Sequence, residues 1–503
     1  MGILIGTIIC LNNKGGGDVK YIPLLFLLLV SCSGVPVQDC KQTDQIPDIF
    51  PDYIGITIPY NIAPLNFKLN GTLKEAWAVI SFSDIKLEVK ARKNEFVIPE
   101  TSWKKLLQAA KGKEVRIQMQ VRDSVGWNKY QPFTIQIANE PVDSYLVYRL
   151  IEPGYEMWNR MGIYQRNLET YDESAILENR MTGNNCMNCH SFCMQNPGKM
   201  LFHTRQTYPG TILIDGNKIE KLDTKTEQTI SSLVYPSWHP SGKYVAFSVN
   251  KIKQSFHMND KNRIEVFDEA SDVVVYDVEK HEIITTPKLF SQAAFETFPT
   301  FSPDGSTLYY CVAEARPMPR DYKDVKYSLC SIAFDPETRK FGLEVDTLYN
   351  AYKEGKSASF PRVSPDGNYL LYTLSGYGSF SIWHKDADLY LIDLKTKENR
   401  LLNEVNSEDV ESYHSWSSNS RWFVFSSRRI DGLYTRLYIA YMDKDGKVGK
   451  PFLLPQRDTE HYNSLMKSYN IPEFVFGKVK VNKFSLALNI KENKSQKIDF
   501  TDE

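Results

Sequence analysis

Two thiols and an imidazole lie within five residues, in the order Cys186-Met-Asn-Cys189-His190. Cysteine thiolates and neutral imidazoles bind zinc, and two cysteines three positions apart also suit a disulfide in an oxidising compartment. With Cys193, the segment offers four Cys or His side chains in eight residues. That spacing is cramped for a tetrahedral zinc site, and no second pair occurs elsewhere. A zinc site and a Cys186–Cys189 disulfide nevertheless both stay open at this point.

The C-x-x-C-H order resembles the haem-attachment signature of c-type cytochromes. The resemblance implies one covalent haem c, bonded through Cys186 and Cys189, with His190 as the proximal iron ligand. Met194 is the candidate sixth ligand, and Met181, Met200 and His203 are also near enough in sequence to be considered. The resemblance is local, because cytochromes wrap their haem with helices that mostly follow the motif, which is not the pattern here.

The N-terminus has the features of a targeting signal. Residues 21–30 are almost wholly apolar, too short to span a bilayer but suited to the core of a signal peptide. They run into Leu29-Val30-Ser31-Cys32, which resembles a lipobox. The resemblance implies a lipoprotein signal peptide over 1–32, lipidation of Cys32 and a periplasm-facing place in the cell envelope. The outer membrane is favoured over the inner, because no acidic residue follows Cys32. A plain secretory signal with an incidental cysteine is the alternative.

Composition excludes other classes. The 503 residues carry 60 Lys and Arg against 61 Asp and Glu, whereas nucleic-acid-binding proteins normally have a basic excess. Only the N-terminal stretch is apolar enough to enter a membrane, so we expect membrane contact through the lipid anchor alone. No G-x-S-x-G elbow is present, which excludes a serine peptidase with an α/β-hydrolase domain.

The second half of the chain repeats. Each copy joins an aromatic-led strand to a turn and a second apolar strand, because Pro sets φ and Gly accepts positive φ in a Pro-Asp-Gly turn. Five copies align, starting at Cys189 (CHSFCMQNPGKMLFHT), Tyr235 (YPSWHPSGKYVAFS), Phe298 (FPTFSPDGSTLYYC), Phe360 (FPRVSPDGNYLLYT) and Tyr413 (YHSWSSNSRWFVFS). Such units bury their faces only by stacking on neighbours, which predicts a β-propeller. The segments resemble the PD40 repeats of TolB-like propellers, which implies about six blades.

The predicted fold is mainly β. Residues 33–50 are expected to form a linker and residues 51–140 a β-sandwich-like domain, with strands at 76–82, 86–89 and 115–121. Residues 141–189 are predicted as a short, partly helical connector that carries the C-x-x-C-H motif. Residues 190–503 are assigned to the propeller, with a sixth blade expected from 456–503, closed by a strand from before residue 190.

Two functions follow as expectations. The first is a lipid-anchored c-type haem protein that transfers electrons or serves another redox-linked role in the envelope. Its propeller would dock a redox partner or a neighbouring envelope protein. The second is a propeller lipoprotein without haem that acts as a protein-interaction scaffold, binding a protein or peptide at the mouth of its channel. No catalytic motif favours an enzyme.

Overall fold

The structure, a computed structural model, describes residues 40–152, 160–492 and 494–501. The predicted signal peptide, its lipidation site Cys32 and the first part of the predicted linker lie outside these ranges. Within them, no helix is both long enough and apolar enough to cross a membrane.

The chain is mainly β, as predicted, and residues 40–144 contain two sheets and one helix. Side chains of the strand Glu114–Arg122 alternate between buried and more exposed positions, as a strand with one covered face requires. The three predicted strands are confirmed within slightly longer ones. The larger sheet comprises Lys41–Gln42, Thr57–Ile58, Glu75–Phe82, Ile85–Lys90, Glu114–Arg122, Trp127–Lys129 and Phe133–Ile137. The smaller sheet comprises Ile49–Phe50, Phe67–Leu69 and Glu95–Phe96, and the helix is Glu100–Ala109.

Six units of four antiparallel strands follow in the described residues, and we call them the first to sixth blades. Their innermost strands are, in order, Ser468–Val475, Cys186–Phe192, Leu233–Trp238, Ala294–Phe301, Ser357–Val363 and Glu411–Trp416. Their second strands are Tyr145–Ile151, Lys199–Arg205, Tyr244–Phe256, Thr307–Glu314, Tyr369–Ser375 and Trp422–Ser427. Their third strands are Met161–Asn167, Gly210–Asp215, Ile264–Asp277, Ser328–Asp335, Asp388–Asp393 and Arg436–Tyr441. Their outer strands are Glu173–Glu178, Lys218–Asp223, Glu282–Ile284, Lys340–Tyr349, Asn399–Leu401 and Phe452–Leu453.

The blades form a closed ring around a channel. Each innermost strand contacts the innermost strand of the next blade, and the strand of the sixth blade contacts that of the first, which contacts that of the second. The buried apolar side chains lie in clusters within and between the sheets. This closed order of four-stranded units is a six-bladed β-propeller.

The first blade differs from the sequence prediction for the connector and for the start of the propeller. The stretch 141–189, predicted as a partly helical connector, supplies three strands of this blade, Tyr145–Ile151, Met161–Asn167 and Glu173–Glu178, besides the 3-10 turn Asn179–Thr182. The C-terminal strand Ser468–Val475 completes the blade. The propeller therefore begins at Tyr145 rather than His190. A short run of large apolar residues fits a helix face and a buried strand equally well. The strand partner of Tyr145–Ile151 lies near the other end of the chain, so long-range pairing decides between the two.

The channel has two different ends. The innermost strands run toward the end that carries the Pro-Asp-Gly turns, which we call the turn face. Gly305 and Gly367 have φ of 77° and 73° in these turns, as their sequence predicts. The opposite end, the hairpin face, carries the connections between second and third strands. The longest of these belongs to the fourth blade and spans residues 315–327.

The N-terminal sheets pack on the sixth blade and share one hydrophobic core with it. Polar contacts accompany this packing. Ser418 donates from its backbone N–H to Asp143 at 2.7 Å, Tyr441 donates to Glu140 at 3.0 Å, and Lys450 forms an ion pair with Asp52. The remaining helices are Ala351–Glu354, His461–Ser464 and Lys483–Lys491, and the 3-10 turns are Asn179–Thr182, Cys193–Gln195, Tyr322–Asp324 and Ser381–Trp383. The C-terminal strands Gln496–Lys497 and Asp499–Phe500 extend the outer edges of the second and third blades.

Candidate functional site

The C-x-x-C-H motif lies on an innermost strand of the propeller. Cys186 to His190 belong to Cys186–Phe192 of the second blade, where Cys186 pairs with Arg205 and Asn188 with His203. The ladder is interrupted between Asn188 and Ser191, so Cys189 and His190 form a β-bulge. The sequence predicted the motif on a connector, and the structure instead places it in the wall of the channel.

The bulge at Cys189 occurs in every blade. Each blade has a non-glycine residue there with φ between 48° and 54°, a conformation that bulky residues rarely adopt. These residues form what we call the plug ring: Cys189, Tyr235, Phe298, Phe360, Tyr413 and Ile471. The residues that follow them are His190, Pro236, Pro299, Pro361, His414 and Pro472. Cys189 and His190 therefore occupy repeat positions of the propeller backbone.

His414, in the sixth blade, occupies the same repeat position as His190. Its Nε2 lies 2.9 Å from the carbonyl oxygen of Leu371, on the second strand of the preceding blade. The His190 ring faces backbone groups of Val147 and Ile471, in the preceding blade again, although its two ring nitrogens make no hydrogen bond. Burial lowers the pKa of both histidines to about 3, so both imidazoles are neutral at physiological pH. The two histidines share one packing position between blades.

The motif as folded does not fit a covalent haem c. Attachment through C-x-x-C-H requires both thiols and the imidazole to reach one porphyrin. Here Cys186 and Asn188 instead belong to a strand ladder, in which they pair with Arg205 and His203, and Cys189 and His190 lie in the bulge that follows. Cys189 lies at the plug ring with only 3% of its surface exposed, among aromatic side chains. His190 turns toward the neighbouring blade.

The other candidate ligands do not complete such a site either. Met194 lies beyond the strand at the turn face, 43% exposed, at the opposite end of the strand from Cys186. Cys186, Cys189 and Cys193 are free thiols. For the zinc site that the sequence left open, no three Cys, His, Asp or Glu side chains in the described ranges converge on a point where the ion would bind. Burial raises the pKa of the Cys189 thiol, which keeps it protonated at neutral pH.

The plug ring closes the channel. The ring centroids of Phe298 and Phe360 are 4.1 Å apart, those of Phe360 and Tyr413 are 5.0 Å apart, and those of Tyr235 and Phe298 are 4.7 Å apart. Phe298, Phe360 and Tyr413 are each at most 7% exposed. The space that remains beside Cys189 and Ile471 is about 30 Å³, which has room for a water molecule but not for a chain segment. The channel is therefore blocked partway along its length.

Two residues further along each innermost strand, the channel becomes polar. Side chains two apart on a strand face the same side, so these residues also point toward the axis. We call them the funnel ring: Ser191, Ser237, Thr300, Arg362, Ser415 and Glu473. They line a cavity of about 130 Å³ that opens to solvent at the turn face, with Met194 and Gln195 at its rim. The plug ring closes its inner end.

Four members of the funnel ring carry hydroxyls and two carry charges. Glu473 accepts a hydrogen bond from the backbone N–H of Phe192 at 2.9 Å, and Arg362 donates to the carbonyl of Pro361 at 2.9 Å. Burial raises the pKa of Glu473 to about 7, although Arg362 acts in the opposite direction. Burial likewise lowers the pKa of Arg362. Among the described residues, neither charge forms an ion pair, and both residues line the cavity.

Sequence reasoning missed Arg362 and Glu473. A signal for Arg362 was present, because the third position of the aligned repeats reads Ser, Ser, Thr, Arg and Ser. A single charge at a position otherwise held by small hydroxyl residues is an exception that packing does not require. No comparable signal marks Glu473 in the sequence. The segment Ile471-Pro472-Glu473 is not followed by a Pro-Asp-Gly turn, so it does not align with the other repeats.

No protein family profile matches the sequence, and no curated protein matches it. A DUF4784 family protein from Bacteroides caccae is similar at 8% identity with a TM-score of 0.30, over 71% of this chain and 95% of that one. Dipeptidyl peptidase 4 of Porphyromonas gingivalis is similar at 12% identity with a TM-score of 0.30, over 62% of this chain and 46% of that one. An arabinanase of Bacillus subtilis is similar at 11% identity with a TM-score of 0.26, over 46% of this chain and 80% of that one. The assignment of a six-bladed propeller accordingly rests on the strand topology.

Proposed function

We propose that this chain is a non-enzymatic binding protein of the cell envelope, whose propeller docks a protein or peptide segment at the turn face. The observation that carries the proposal is the cavity bounded by the funnel ring. It is polar, open to solvent at one end and closed by the plug ring at the other. Concave sites with a few convergent polar groups are the usual places where proteins bind ligands.

The envelope location rests on sequence alone. The apolar run over 21–30 and the lipobox-like Leu29-Val30-Ser31-Cys32 favour export and lipidation. The PD40-like segments, which resemble those of TolB-like propellers, favour an interaction role for the blades. A protein held at a membrane by one lipid anchor leaves its propeller free to meet partners.

The chemistry of the cavity favours binding over catalysis. The Ser415 hydroxyl donates to the carbonyl of Pro472 at 2.7 Å, and the nearby His414 ring is bonded to Leu371 instead of a serine. A nucleophile needs a base within hydrogen-bond reach. The hydroxyls and charges of the funnel ring are suited to holding a ligand by hydrogen bonds.

The test is site-specific photo-crosslinking in cells that make the full chain. A photo-reactive residue replaces Met194 at the rim of the cavity, and in the control it replaces Leu343, an 88% exposed apolar residue on the outer strand of the fourth blade. We expect a discrete protein adduct from position 194 that disappears when Arg362→Gln is added. If position 194 gives no adduct beyond that of position 343, the proposed docking site is wrong.

A further inference from the structure

Resting on the proposed function, we infer that the funnel ring recognises a chain end with a free carboxylate, held by the guanidinium of Arg362. The shared chemistry is a terminal carboxylate, whether it belongs to the C-terminus of a protein segment or to a small carboxylic acid. Arg362 would be the binding residue, with the hydroxyls of Ser191 and Thr300 as additional donors.

The shape of the cavity selects a chain end. A polypeptide that crosses a groove needs two exits, whereas this cavity has one, because Phe298, Phe360 and Tyr413 block its inner end. Its volume of about 130 Å³, close to that of a cavity that holds benzene, admits the terminal residue of a chain. A segment that enters must present its terminus to the funnel ring.

The charges select a carboxylate. The Arg362 guanidinium has five N–H donors, and its one hydrogen bond to a described residue goes to the carbonyl of Pro361. Arg362 lines the cavity, where a carboxylate can accept two of the remaining donors side by side. Glu473 is held by the backbone N–H of Phe192 and is not paired with Arg362. A terminal ammonium would meet this cation, which opposes binding of an N-terminus.

Glu473 gives this recognition a pH dependence. The charged or titratable groups near it are Arg362, on the fifth blade, the imidazoles of His190 and His414, which are neutral above pH 4, and Cys189, Tyr235 and Tyr413. Burial raises the pKa of each of these last three, so they stay neutral as well. Because burial raises the pKa of Glu473 to about 7, its charge is lost as pH falls from 8 to 6. Loss of that charge leaves Arg362 as the only charge of the funnel ring, and a terminal carboxylate stays ionised over the same range. The affinity for a carboxylate should therefore rise as pH falls.

The experiment measures fluorescence polarisation of the full mature chain with dye-labelled random tetrapeptide pools. One pool ends in a free carboxylate, the other in a carboxamide, and acetate and glycine are added as competitors. We expect the free-acid pool to bind about tenfold more tightly than the amide pool, and binding to strengthen several-fold from pH 8 to pH 6. Arg362→Gln should abolish the preference for the acid, and Glu473→Gln should remove the pH dependence. Arg316→Gln, which removes an exposed charge outside the cavity, should change neither.

The outcomes separate the two proposals. Equal binding of both pools at the cavity overturns the carboxylate inference and leaves the docking function in place. Absence of binding by either pool overturns the docking of peptide segments. Competition by millimolar acetate or glycine assigns the site to a small carboxylic acid, and lack of competition assigns it to a chain end. The comparison of acid with amide uses the wild-type chain, so it holds even if Arg362→Gln fails to fold, and Arg362→Lys then replaces that variant.

Discussion

The plug ring and the funnel ring come from the same six strands, two residues apart, yet they have opposite characters. The plug ring is aromatic or apolar in five blades and closes the channel, whereas the funnel ring is polar in all six blades and opens to solvent. Backbone geometry is common to both, because the bulge that sets the plug ring also fixes the direction of the funnel ring. The difference shows that position along the channel decides what a repeat residue does.

Each ring contains residues whose type differs from that of the other members, and these residues have different consequences in the two rings. In the plug ring the exception is Cys189, a small apolar thiol that fills a packed position. In the funnel ring the exceptions are Arg362 and Glu473, which place charges next to water in a cavity. An exception in a closed ring alters packing, and an exception in an open ring alters what the protein can bind.

The largest expected effect comes from opening the plug ring. Phe360 contacts three aromatic members of the ring, at centroid distances from 4.1 to 6.2 Å, and is 4% exposed. Phe360→Ala should lower the free energy of unfolding by about 3–5 kcal/mol through loss of burial and creation of a cavity. Chemical denaturation followed by intrinsic fluorescence measures the change. Phe484→Ala, at a 66% exposed position, is the control and should change stability by less than about 0.5 kcal/mol.

The funnel ring should respond to pH where the plug ring does not. The pKa of Glu473 is raised from 4.5 to about 7, so the folded state binds more protons than the unfolded state between these values. Wild type and Glu473→Gln should be equally stable below pH 4. As pH rises toward 7, wild type should lose stability relative to the variant, by about 1–3 kcal/mol, and the difference should stay constant above pH 8. Thermal melts across this range measure it, and a difference independent of pH would contradict a buried carboxylate at this position.

A smaller effect is expected at His190. Four blades hold proline at the corresponding position, so the backbone there accepts a proline without losing a ladder hydrogen bond. His190→Pro should cost about 1 kcal/mol, mainly through lost side-chain packing. Thr204→Pro, in the neighbouring second strand that pairs on both sides, should cost more than about 3 kcal/mol. Similar losses for both would show that His190 is more than a repeat position.

The smallest expected effect is a difference in how readily two thiols react, with no change in stability. Cys186 is half-buried at the start of its strand, whereas Cys189 is 3% exposed and burial raises the pKa of its thiol. Native alkylation followed by peptide mass spectrometry should modify Cys186 well before Cys189. Equal rates would show that the plug ring opens.

Much of the fold was predictable from sequence because the repeats carry it. The Pro-Asp-Gly turns and the aromatic-led strands repeat at short range, and local turn chemistry determines both. The first blade was not predictable in the same way. Its strand Tyr145–Ile151 pairs with Ser468–Val475, and that pairing depends on closure of the ring rather than on any local pattern.

The candidate site, in contrast to the fold, could hardly be predicted from the sequence. The five-residue motif at Cys186 stands out in the sequence because its spacing is rare. In the structure, its residues Cys189 and His190 occupy a bulge that every other blade also has. Arg362 does not stand out within its own segment, because one arginine in a strand is ordinary. Its significance appears only when six strands bring their third repeat positions to one cavity, a juxtaposition that sequence alone does not display.

The central claim is that Cys189 and His190 belong to the packed repeat and that binding takes place at the funnel ring. The most direct test is the intact mass and visible spectrum of the mature chain made in a host with cytochrome c maturation, beside a Cys186→Ala/Cys189→Ala variant. We predict a colourless protein with no added haem mass, and the same result for the variant. One haem mass and a reducible Soret band, both lost in the variant, would contradict the account and assign the motif to covalent haem.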